Sequence, residues 1–353
     1  MNFELSSDLQ MLADTLRRFF ADHLDIEIRN ETAYELPYHA PNIWTKLSEL
    51  GILGAFLTEK QGGFGGTAQD ISTVFEEVGL ALCPEPLLGN LMGLRLLAAS
   101  GRVDLVERTL SGETRVALAL VEPEMSTDLD RLSARAELRN GSWQLTGTKT
   151  AIYGGPSAEC VLIAANTDEG LGLFMCSKPE MVESSMVDGE GISELQMENL
   201  SAECLGTDMG EVIADVLDLG CIALCAEAVG AMERLIAMTV DYLGQRQQFG
   251  HKLSQFQALQ HRVVDMVSAL EQARSITIRA VASYGTPDQA RHVAMAKNLI
   301  GRAAIQVSEE AIQLHGGIGM TWEYAGSHYA KRLVMIDHQL GDRFDHASRL
   351  VTL

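Results

Sequence analysis

The sequence has little positive charge. It carries 27 Lys and Arg residues against 48 Asp and Glu residues, which gives a formal net charge of −21 at pH 7. Nucleic acids and anionic lipid surfaces are bound through basic surfaces, so this balance argues against DNA, RNA and membranes as the main partners. A small anionic ligand is still allowed, because one arginine or one helix N-terminus is enough to hold it.

Cysteine is also scarce, with six in 353 residues and no CxxC pair. This excludes a disulfide scaffold. Cys221 and Cys225 lie one helical turn apart in an apolar run, which predicts small buried core residues in preference to a metal or redox pair. The N-terminal segment shows no secretory signal, and the most apolar stretch, residues 219–240, contains three charged residues. We therefore expect a cytoplasmic protein with no metal site and no membrane-spanning helix.

Helix-like and strand-like patterns occupy separate parts of the chain. Apolar residues recur at helical spacing in the first third, and long helical patterns cover residues 219–245, 256–283 and 287–315. Between them, short apolar runs alternate with turn residues, and Asn140-Gly141 marks a hairpin between two of these runs. A doubly wound α/β fold needs strands and helices in strict alternation, so this order predicts an α+β fold.

The segregation of patterns indicates three domains. We expect an N-terminal helical domain over residues 1–114, a middle β-domain over residues 115–210 and a C-terminal helical bundle over residues 211–353. The closely spaced strands of the middle domain favour a small sandwich or barrel. The strand pattern fades in residues 182–210, to which no element is assigned, and residues 324–353 are expected to be helical.

The first candidate ligand-binding segment is Arg246-Gln247-Gln248-Phe249-Gly250, called here the arginine segment (residues 246–250). An arginine at a helix end, followed by a glycine turn, offers a rigid fork of donors to a phosphate. Gln248 can bond the polar edges of a ligand, and Phe249 can lie against an aromatic system. A capped helix terminus with a surface arginine is the simpler alternative on spacing alone.

The second candidate is His315-Gly316-Gly317-Ile318-Gly319, called here the glycine segment (residues 315–319). Three glycines within four residues allow a backbone to approach a ligand closely and to point amides at it. The segment follows a helix instead of a strand and lacks the Lys-Ser/Thr of a P-loop, so it is not a common nucleotide fingerprint. A glycine-rich helix stop is the simpler explanation when the segment is taken alone.

The two segments together resemble the acyl-CoA dehydrogenases. The string YLGQRQQFGHKLSQFQALQHRVVDM is similar to the family's segment after the first long C-terminal helix, and AIQLHGGIGMTWEY is similar to its flavin-binding glycine loop. Residues 121–128 and the Gly147-Thr148-Lys149 step resemble the family's β-domain more loosely. The resemblance covers nearly the whole chain.

This resemblance implies an all-α N-terminal domain, a β-barrel middle domain and a C-terminal four-helix bundle, with FAD held across a subunit interface. The residues that match the family's flavin contacts are Arg246, Gln248 and Phe249 in the arginine segment, Gln313, Gly316 and Gly317 near the glycine segment, and Ser126, Thr127 and Tyr153 in the β-domain. The first group would contact the FAD of a neighbouring subunit, the second its diphosphate and adenosine end, and the third flavin or substrate. Where relatives have a Trp-x-Thr on the flavin, this chain reads Ala151-Ile152-Tyr153.

The sequence departs from the family where a catalytic base is expected. The family reaction removes the α-proton of an acyl-CoA thioester while the β-hydride passes to flavin N5, so a carboxylate is needed beside the α-carbon. Relatives place a Glu before the Gly of the C-terminal loop, where this chain has Leu340, or at the start of the first long C-terminal helix, where it has Gly220. Neither residue accepts a proton. Asp342 and Glu227 are the nearby carboxylates that could replace the missing Glu.

Three functions are compatible with this pattern. The preferred one is the small subunit of a heteromeric acyl-CoA dehydrogenase, similar to the pimeloyl- and steroid side-chain-type enzymes, in which a larger partner supplies the base. The resemblance implies a homo- or heterotetramer and an electron-transfer flavoprotein as electron acceptor. The second is a self-sufficient dehydrogenase that uses Asp342 or Glu227. The third is a non-catalytic structural relative that binds no flavin.

Overall fold

The N-terminal part of the chain is helical. The structure, a computed structural model, describes residues 5–123 and 128–353. Ser6 begins the first helix as its N-cap, because its side chain accepts a hydrogen bond from the backbone N–H of Leu9. The α-helices of this part are α1 (Ser7–His23), α2 (Ile26–Thr32), α3 (Pro41–Glu49), α4 (Ala68–Ala81), α5 (Leu87–Ala99) and α6 (Val103–Leu110).

The middle part forms a seven-stranded sheet. Its strands are β1 (Val116–Ala119), β2 (Arg135–Arg139), β3 (Ser142–Tyr153), β4 (Cys160–Asn166), β5 (Leu171–Ser177), β6 (Val182–Ser185) and β7 (Gly191–Gly206). The strand order is β1-β4-β2-β3-β7-β5, and β5 also pairs with β4, so five of the strands form a closed path. Closure removes exposed strand edges, which is the advantage of a small barrel.

The residues of the turn itself determine the hairpin between β2 and β3. Asn140 and Gly141 have φ angles of +52° and +80°, the combination that a two-residue type I′ turn requires. Arg139 pairs with Ser142 across the turn. The predicted hairpin is therefore confirmed.

The C-terminal part is again helical. Its elements are α7 (Gly210–Gln245), the short strands β8 (Gln247–Gln248) and β9 (His251–Lys252), α8 (Gln257–Ser283), α9 (Gln289–His315), α10 (Ala325–His338) and α11 (Arg343–Thr352). The three long helices are confirmed, although α7 begins at Gly210 and not at Leu219. Residues 324–353 are helical as expected, in two helices, because Leu340 and Gly341 adopt positive φ angles of +54° and +90° between α10 and α11.

This order of helices, strands and helices confirms the α+β fold class. The chain divides into two compact units. The C-terminal unit comprises the described residues of Met1–Ile26 together with Ser72–Cys83 and Cys221–Leu353, and the β-unit comprises Glu27–Ile71 and the described residues of Pro84–Gly220. Most of helix α4 therefore belongs to the same unit as the C-terminal helices.

Two glycines explain how α4 enters the C-terminal unit. A Cβ on Gly79 of α4 would lie 1.9 Å from the backbone oxygen of Glu227, and a Cβ on Gly230 of α7 would lie 2.0 Å from the backbone oxygen of Glu76. Side-chain carbons do not approach backbone oxygens so closely, so the two helices cross at this distance only because both positions are glycine. The crossing holds Glu227 in the interior of the unit.

The cysteines follow the expected pattern in the described residues. The six cysteines are free thiols, and Cys221 and Cys225 are buried, as predicted. Over residues 5–123 and 128–353, no helix is both long and apolar enough to cross a membrane. The same ranges contain no cluster of His, Cys, Asp and Glu side chains suited to a metal ion.

Candidate active site

The arginine segment forms a tight hairpin directly after α7. The backbone N–H of Arg246 donates to the carbonyl oxygen of Tyr242 at 2.9 Å, and Gln248 pairs with His251 across the β8–β9 turn. Phe249 occupies this turn with a φ of +54°, an unusual conformation for a bulky residue. The backbone is thus fixed by hydrogen bonds, which leaves the side chains to define the surface.

The side chains of the arginine segment point away from the protein. Arg246 and Gln248 are exposed, and Phe249 is 88% exposed. Among the described residues, the Arg246 guanidinium has no hydrogen-bond or ion-pair partner. An unpaired guanidinium and a largely exposed aromatic ring in one short segment are expected of a surface that a ligand or another chain covers.

The glycine segment lies at the C-terminal end of α9. Gly316 ends that helix with φ and ψ of +65° and −141°, a conformation open essentially only to glycine. A Cβ built on Gly316 or Gly317 would meet no atom within 4 Å, so both backbones face open space. Gln313, in the last turn of α9, is exposed. A ligand can therefore approach these backbone groups without steric hindrance.

These two segments fit a flavin dinucleotide. The diphosphate needs a donor that has no protein partner, which the Arg246 guanidinium is, and the open backbone at Gly316 and Gly317 leaves room for the cofactor to approach closely. An exposed ring such as Phe249 suits the apolar faces of the cofactor. Both segments belong to the C-terminal unit, so a single folded body presents them.

The β-unit contributes one described candidate, Tyr153, at the end of β3. The β3–β7 register shifts between Lys149 and Ile152, and Ala151 within this bulge has a φ of +51°. Bulges redirect the side chains that follow them and are common beside functional sites. Tyr153 is partly exposed just after the bulge. The other two candidates of this unit, Ser126 and Thr127, lie outside the described residues.

A buried ion pair that the sequence analysis missed holds the loop after β1. The Lys149 ammonium lies 2.7 Å from the Glu122 carboxylate and 3.2 Å from the carbonyl oxygen of Leu120, and it is fully buried. Burial lowers the pKa of Lys149 to about 8, although Glu122 opposes the shift. The Glu122 carboxylate also accepts from the backbone N–H groups of Ser133 and Ala134. The sequence did contain a signal for this pair, because Lys149 is a charged residue within a strand pattern.

No carboxylate occupies the two positions where the family places its base. Leu340 is 4% exposed, and its carbonyl oxygen accepts from His346 Nε2 at 3.0 Å. Cys221, which follows Gly220 on α7, points its thiol at the same oxygen at 3.8 Å. Burial and the nearby Lys297 charge lower the pKa of His346 to about 3, so its imidazole is neutral at pH 7. A thiol and a neutral imidazole thus contact the Leu340 carbonyl oxygen.

Glu227, the first candidate replacement, is half of a buried ion pair. Its two carboxylate oxygens accept from Arg332 Nε at 2.5 Å and Nη2 at 2.9 Å, a bidentate arrangement. Arg332 Nη1 also donates to the side-chain oxygen of Gln339 at 2.9 Å. Both charged side chains are at most 4% exposed. The Glu227 carboxylate therefore already balances a buried charge.

Asp342, the second candidate, is the N-cap of α11. Its Oδ1 accepts from the backbone N–H groups of Phe344 at 2.7 Å and Asp345 at 2.9 Å. Asp345 returns the interaction by accepting from the Asp342 N–H at 3.0 Å, which completes a capping box. The contacts give Asp342 a local structural role, and its side chain is partly exposed.

Comparison with known families identifies the class of protein. The family described as "Acyl-CoA dehydrogenase, N-terminal domain" matches residues 6–113, and "Acyl-CoA dehydrogenase, C-terminal domain" matches residues 209–336. The two matches cover about two thirds of the chain. The chain therefore belongs to the acyl-CoA dehydrogenase family, FAD-dependent oxidoreductases that act on a CH–CH bond of an acyl-CoA.

Individual relatives extend over nearly the full length. The chain is 29% identical over 337 residues to acyl-CoA dehydrogenase IpdE2 of Mycolicibacterium smegmatis, covering 93% of each chain. Among solved structures, a variant of the steroid acyl-CoA dehydrogenase Tcur3481-Tcur3483 is 26% identical with a TM-score of 0.91, and the match covers 98% of this chain and 97% of that one. The FAD complex of PigA is 25% identical with a TM-score of 0.88, covering 100% and 98%.

Proposed function

We propose that this chain is the base-lacking subunit of a heteromeric acyl-CoA dehydrogenase. It contributes to the FAD sites, and a larger partner chain supplies the carboxylate that removes the substrate's α-proton. One observation carries the proposal: the flavin-binding residue types are present and open to a ligand, while Leu340 and Gly220 stand at the two positions of the family's Glu.

The chain's own residues have definite tasks in flavin binding. Bound FAD supplies the two-electron acceptor for the substrate's β-hydride. The Arg246 guanidinium neutralises diphosphate charge, and the open backbone at Gly316 and Gly317 lets the cofactor approach closely. Phe249 covers an apolar face of the cofactor. The remaining proposed contacts are Gln248, Gln313, Ser126, Thr127 and Tyr153.

In this proposal, the described residues around Leu340 do not accept the α-proton. The leucine is buried and apolar, so it excludes water from its surroundings. His346 presents a neutral ring whose Nε2 is already bonded to the Leu340 carbonyl oxygen. Proton abstraction therefore requires a carboxylate from another chain.

The relatives suggest which substrates and partners to test first. The solved relative carries the double name Tcur3481-Tcur3483, which suggests two chains, and is described as a steroid acyl-CoA dehydrogenase. We infer a steroid-derived or similarly bulky acyl-CoA as the first substrate class, ahead of short aliphatic thioesters. An electron-transfer flavoprotein is the proposed acceptor, and a heterotetramer in the cytoplasm is the proposed setting.

The direct test compares the chain alone with the chain coexpressed with a larger homologue that bears the Glu. Turnover of acyl-CoA esters, from butyryl to steroid length, is measured with a ferrocenium acceptor and added FAD. We expect turnover only in the coexpressed assembly. Full turnover by the lone chain would refute the proposal.

A gain-of-function pair sharpens this test. Leu340→Glu restores a carboxylate at one family position, and Leu340→Gln is the matched control of similar size without a base. We expect Leu340→Glu alone to give the lone chain measurable turnover, provided that it folds, which circular dichroism checks. Equal activity of the two variants would show that the missing carboxylate is not the limiting group.

Two alternatives make different predictions. A self-sufficient enzyme would use Asp342 or Glu227, but the cap and the ion pair already engage these carboxylates. A flavin-free structural relative would stay colourless even in a complete assembly. A yellow complex excludes the second alternative, and the Asp342 and Glu227 variants described below decide the first.

A further inference from the structure

Three aromatic side chains connect the two flavin-binding segments. They are called here the aromatic cluster and comprise Tyr242, His315 and Tyr324. The His315 ring lies 4.6 Å from the Tyr242 ring and 4.7 Å from the Tyr324 ring, measured between centroids. The Tyr242 carbonyl oxygen accepts the backbone hydrogen bond of Arg246, and His315 directly precedes Gly316. The cluster therefore reaches from one segment to the other.

Hydrogen bonds fix the central imidazole. His315 Nδ1 lies 2.7 Å from the carbonyl oxygen of Ala311, so Nδ1 carries the hydrogen. Nε2 must then accept, and the Tyr324 hydroxyl donates to it at 2.5 Å. Burial lowers the pKa of His315 and raises the pKa of Tyr324 to about 12. Both groups are thus in the protonation states that this chain of bonds needs at neutral pH.

The glycine segment is built around the His315 side chain. A Cβ on Gly319 would lie 3.0 Å from the Cβ of His315, so the segment turns back against this residue. His315 is 5% exposed, whereas Gly316 and Gly317 are exposed. The imidazole consequently supports the segment from the inside while the glycine backbone faces outward.

We propose that the aromatic cluster positions the glycine segment relative to the arginine segment and thereby sets the affinity for FAD. Tyr242, His315 and Tyr324 are positioning residues, because no flavin contact is assigned to them. The inference rests on the flavin site of the proposed function but not on the base-bearing partner. A preformed segment binds more tightly because it loses less conformational freedom on binding.

The test is Tyr324→Phe, which keeps the ring and removes the hydroxyl, with Tyr329→Phe as the matched control. Tyr324 is the N-cap of α10 and Tyr329 lies in its second turn, where the Tyr329 hydroxyl donates to the carbonyl oxygen of Leu80 at 2.5 Å. FAD affinity of the full-length protein, in the assembly that binds flavin, is measured by fluorescence titration. We expect Tyr324→Phe to raise the Kd for FAD about tenfold and Tyr329→Phe to leave it within about twofold.

A second measurement needs no flavin. Amide hydrogen exchange of the apoprotein should speed up at residues 316–321 in Tyr324→Phe and stay unchanged there in Tyr329→Phe. His315→Phe keeps an aromatic ring but loses both hydrogen bonds, so its Kd for FAD should rise more than that of Tyr324→Phe.

Equal FAD affinities and equal exchange rates in the two tyrosine variants would overturn the proposal. Turnover by the lone wild-type chain would instead overturn the heteromeric function and leave these results unaffected. Saturating FAD should restore kcat in Tyr324→Phe, because positioning affects cofactor affinity and not the chemical step.

Discussion

Two regions of the C-terminal unit differ in whether their polar groups are exposed and unpaired or buried and paired. The arginine and glycine segments present an unpaired guanidinium, an exposed ring and open backbone to the outside. Leu340 is buried, and the candidate base Glu227 is paired with Arg332. Unpaired polar groups are costly in the interior but are needed where a ligand binds. This difference is what we expect of a chain that binds the cofactor and leaves proton abstraction to a partner, as proposed above.

The largest change in stability is expected at Glu227. Glu227→Gln should lower the free energy of unfolding by about 3 to 5 kcal/mol, because it leaves the buried Arg332 charge unbalanced. Glu271→Gln is the control, since Glu271 is an exposed partner of Arg274 at 3.9 Å and should change stability by less than about 0.5 kcal/mol. Denaturant unfolding measures both. A stable Glu227→Gln protein that has lost turnover in the assembly would identify Glu227 as the base instead.

The buried region also predicts a pH dependence. The pKa of His346 falls from 6.5 to about 3 on folding. Burial is the larger cause, and the Lys297 charge is the second. Below pH 6.5 the unfolded chain binds a proton that the folded chain does not, so stability should fall with decreasing pH until about pH 3. This group alone should contribute on the order of 3 to 5 kcal/mol over that range.

His346→Gln provides the check on this pH dependence. Its unfolding free energy should vary less with pH between 6.5 and about 3 than that of the wild type. Parallel curves for the two proteins would show that His346 does not carry the effect.

In the open region, Arg246→Ala should weaken FAD binding without affecting the fold. Loss of a charge-assisted hydrogen bond costs about 1.5 to 3 kcal/mol, which corresponds to a rise of about 10- to 100-fold in the Kd for FAD. The unfolding free energy should not change, because the side chain is exposed. Arg291→Ala, another exposed arginine, is the control. An unchanged Kd in Arg246→Ala would remove the arginine segment from the flavin site.

The smallest effect is expected at Asp342. Asp342→Ala should cost about 1 kcal/mol of stability through loss of the α11 N-cap, whereas Asp342→Asn should cost only a few tenths. Because Asn caps a helix but cannot act as a base, Asp342→Asn should keep the turnover of the assembly. Turnover lost in Asp342→Asn, with stability kept, would favour Asp342 as the catalytic base.

Much of the fold could be predicted from the sequence where residues close together in the chain determine the structure. Asn140-Gly141 needs no distant partner to form its turn, and the long helices follow from their periodicity. Strand β7 was not predicted, because its pairing with β3, β5 and β6 and not its own pattern makes it a strand. The break near Leu340 carried a readable signal, since a glycine followed by an aspartate ends one helix and caps the next.

Only part of the candidate site could be predicted from the sequence. The arginine and glycine segments are contiguous motifs, so the sequence indicates them directly. The pairing of Glu227 with Arg332 joins residues 105 positions apart, and nothing local announces it. The aromatic cluster likewise depends on the packing of α7, α9 and α10. Sequence motifs therefore indicate which segments to test for cofactor binding, and tertiary structure was needed to see which carboxylates are already engaged.

The most direct test of a chain that binds flavin but lacks a base is substrate-induced bleaching of the flavin absorbance under anaerobic conditions. The FAD-loaded chain alone and the assembly with a Glu-bearing partner are each mixed with excess acyl-CoA, and the visible flavin band is followed. The account predicts that the band bleaches in the assembly and persists in the chain alone. Bleaching of equal rate and extent in the chain alone would contradict it.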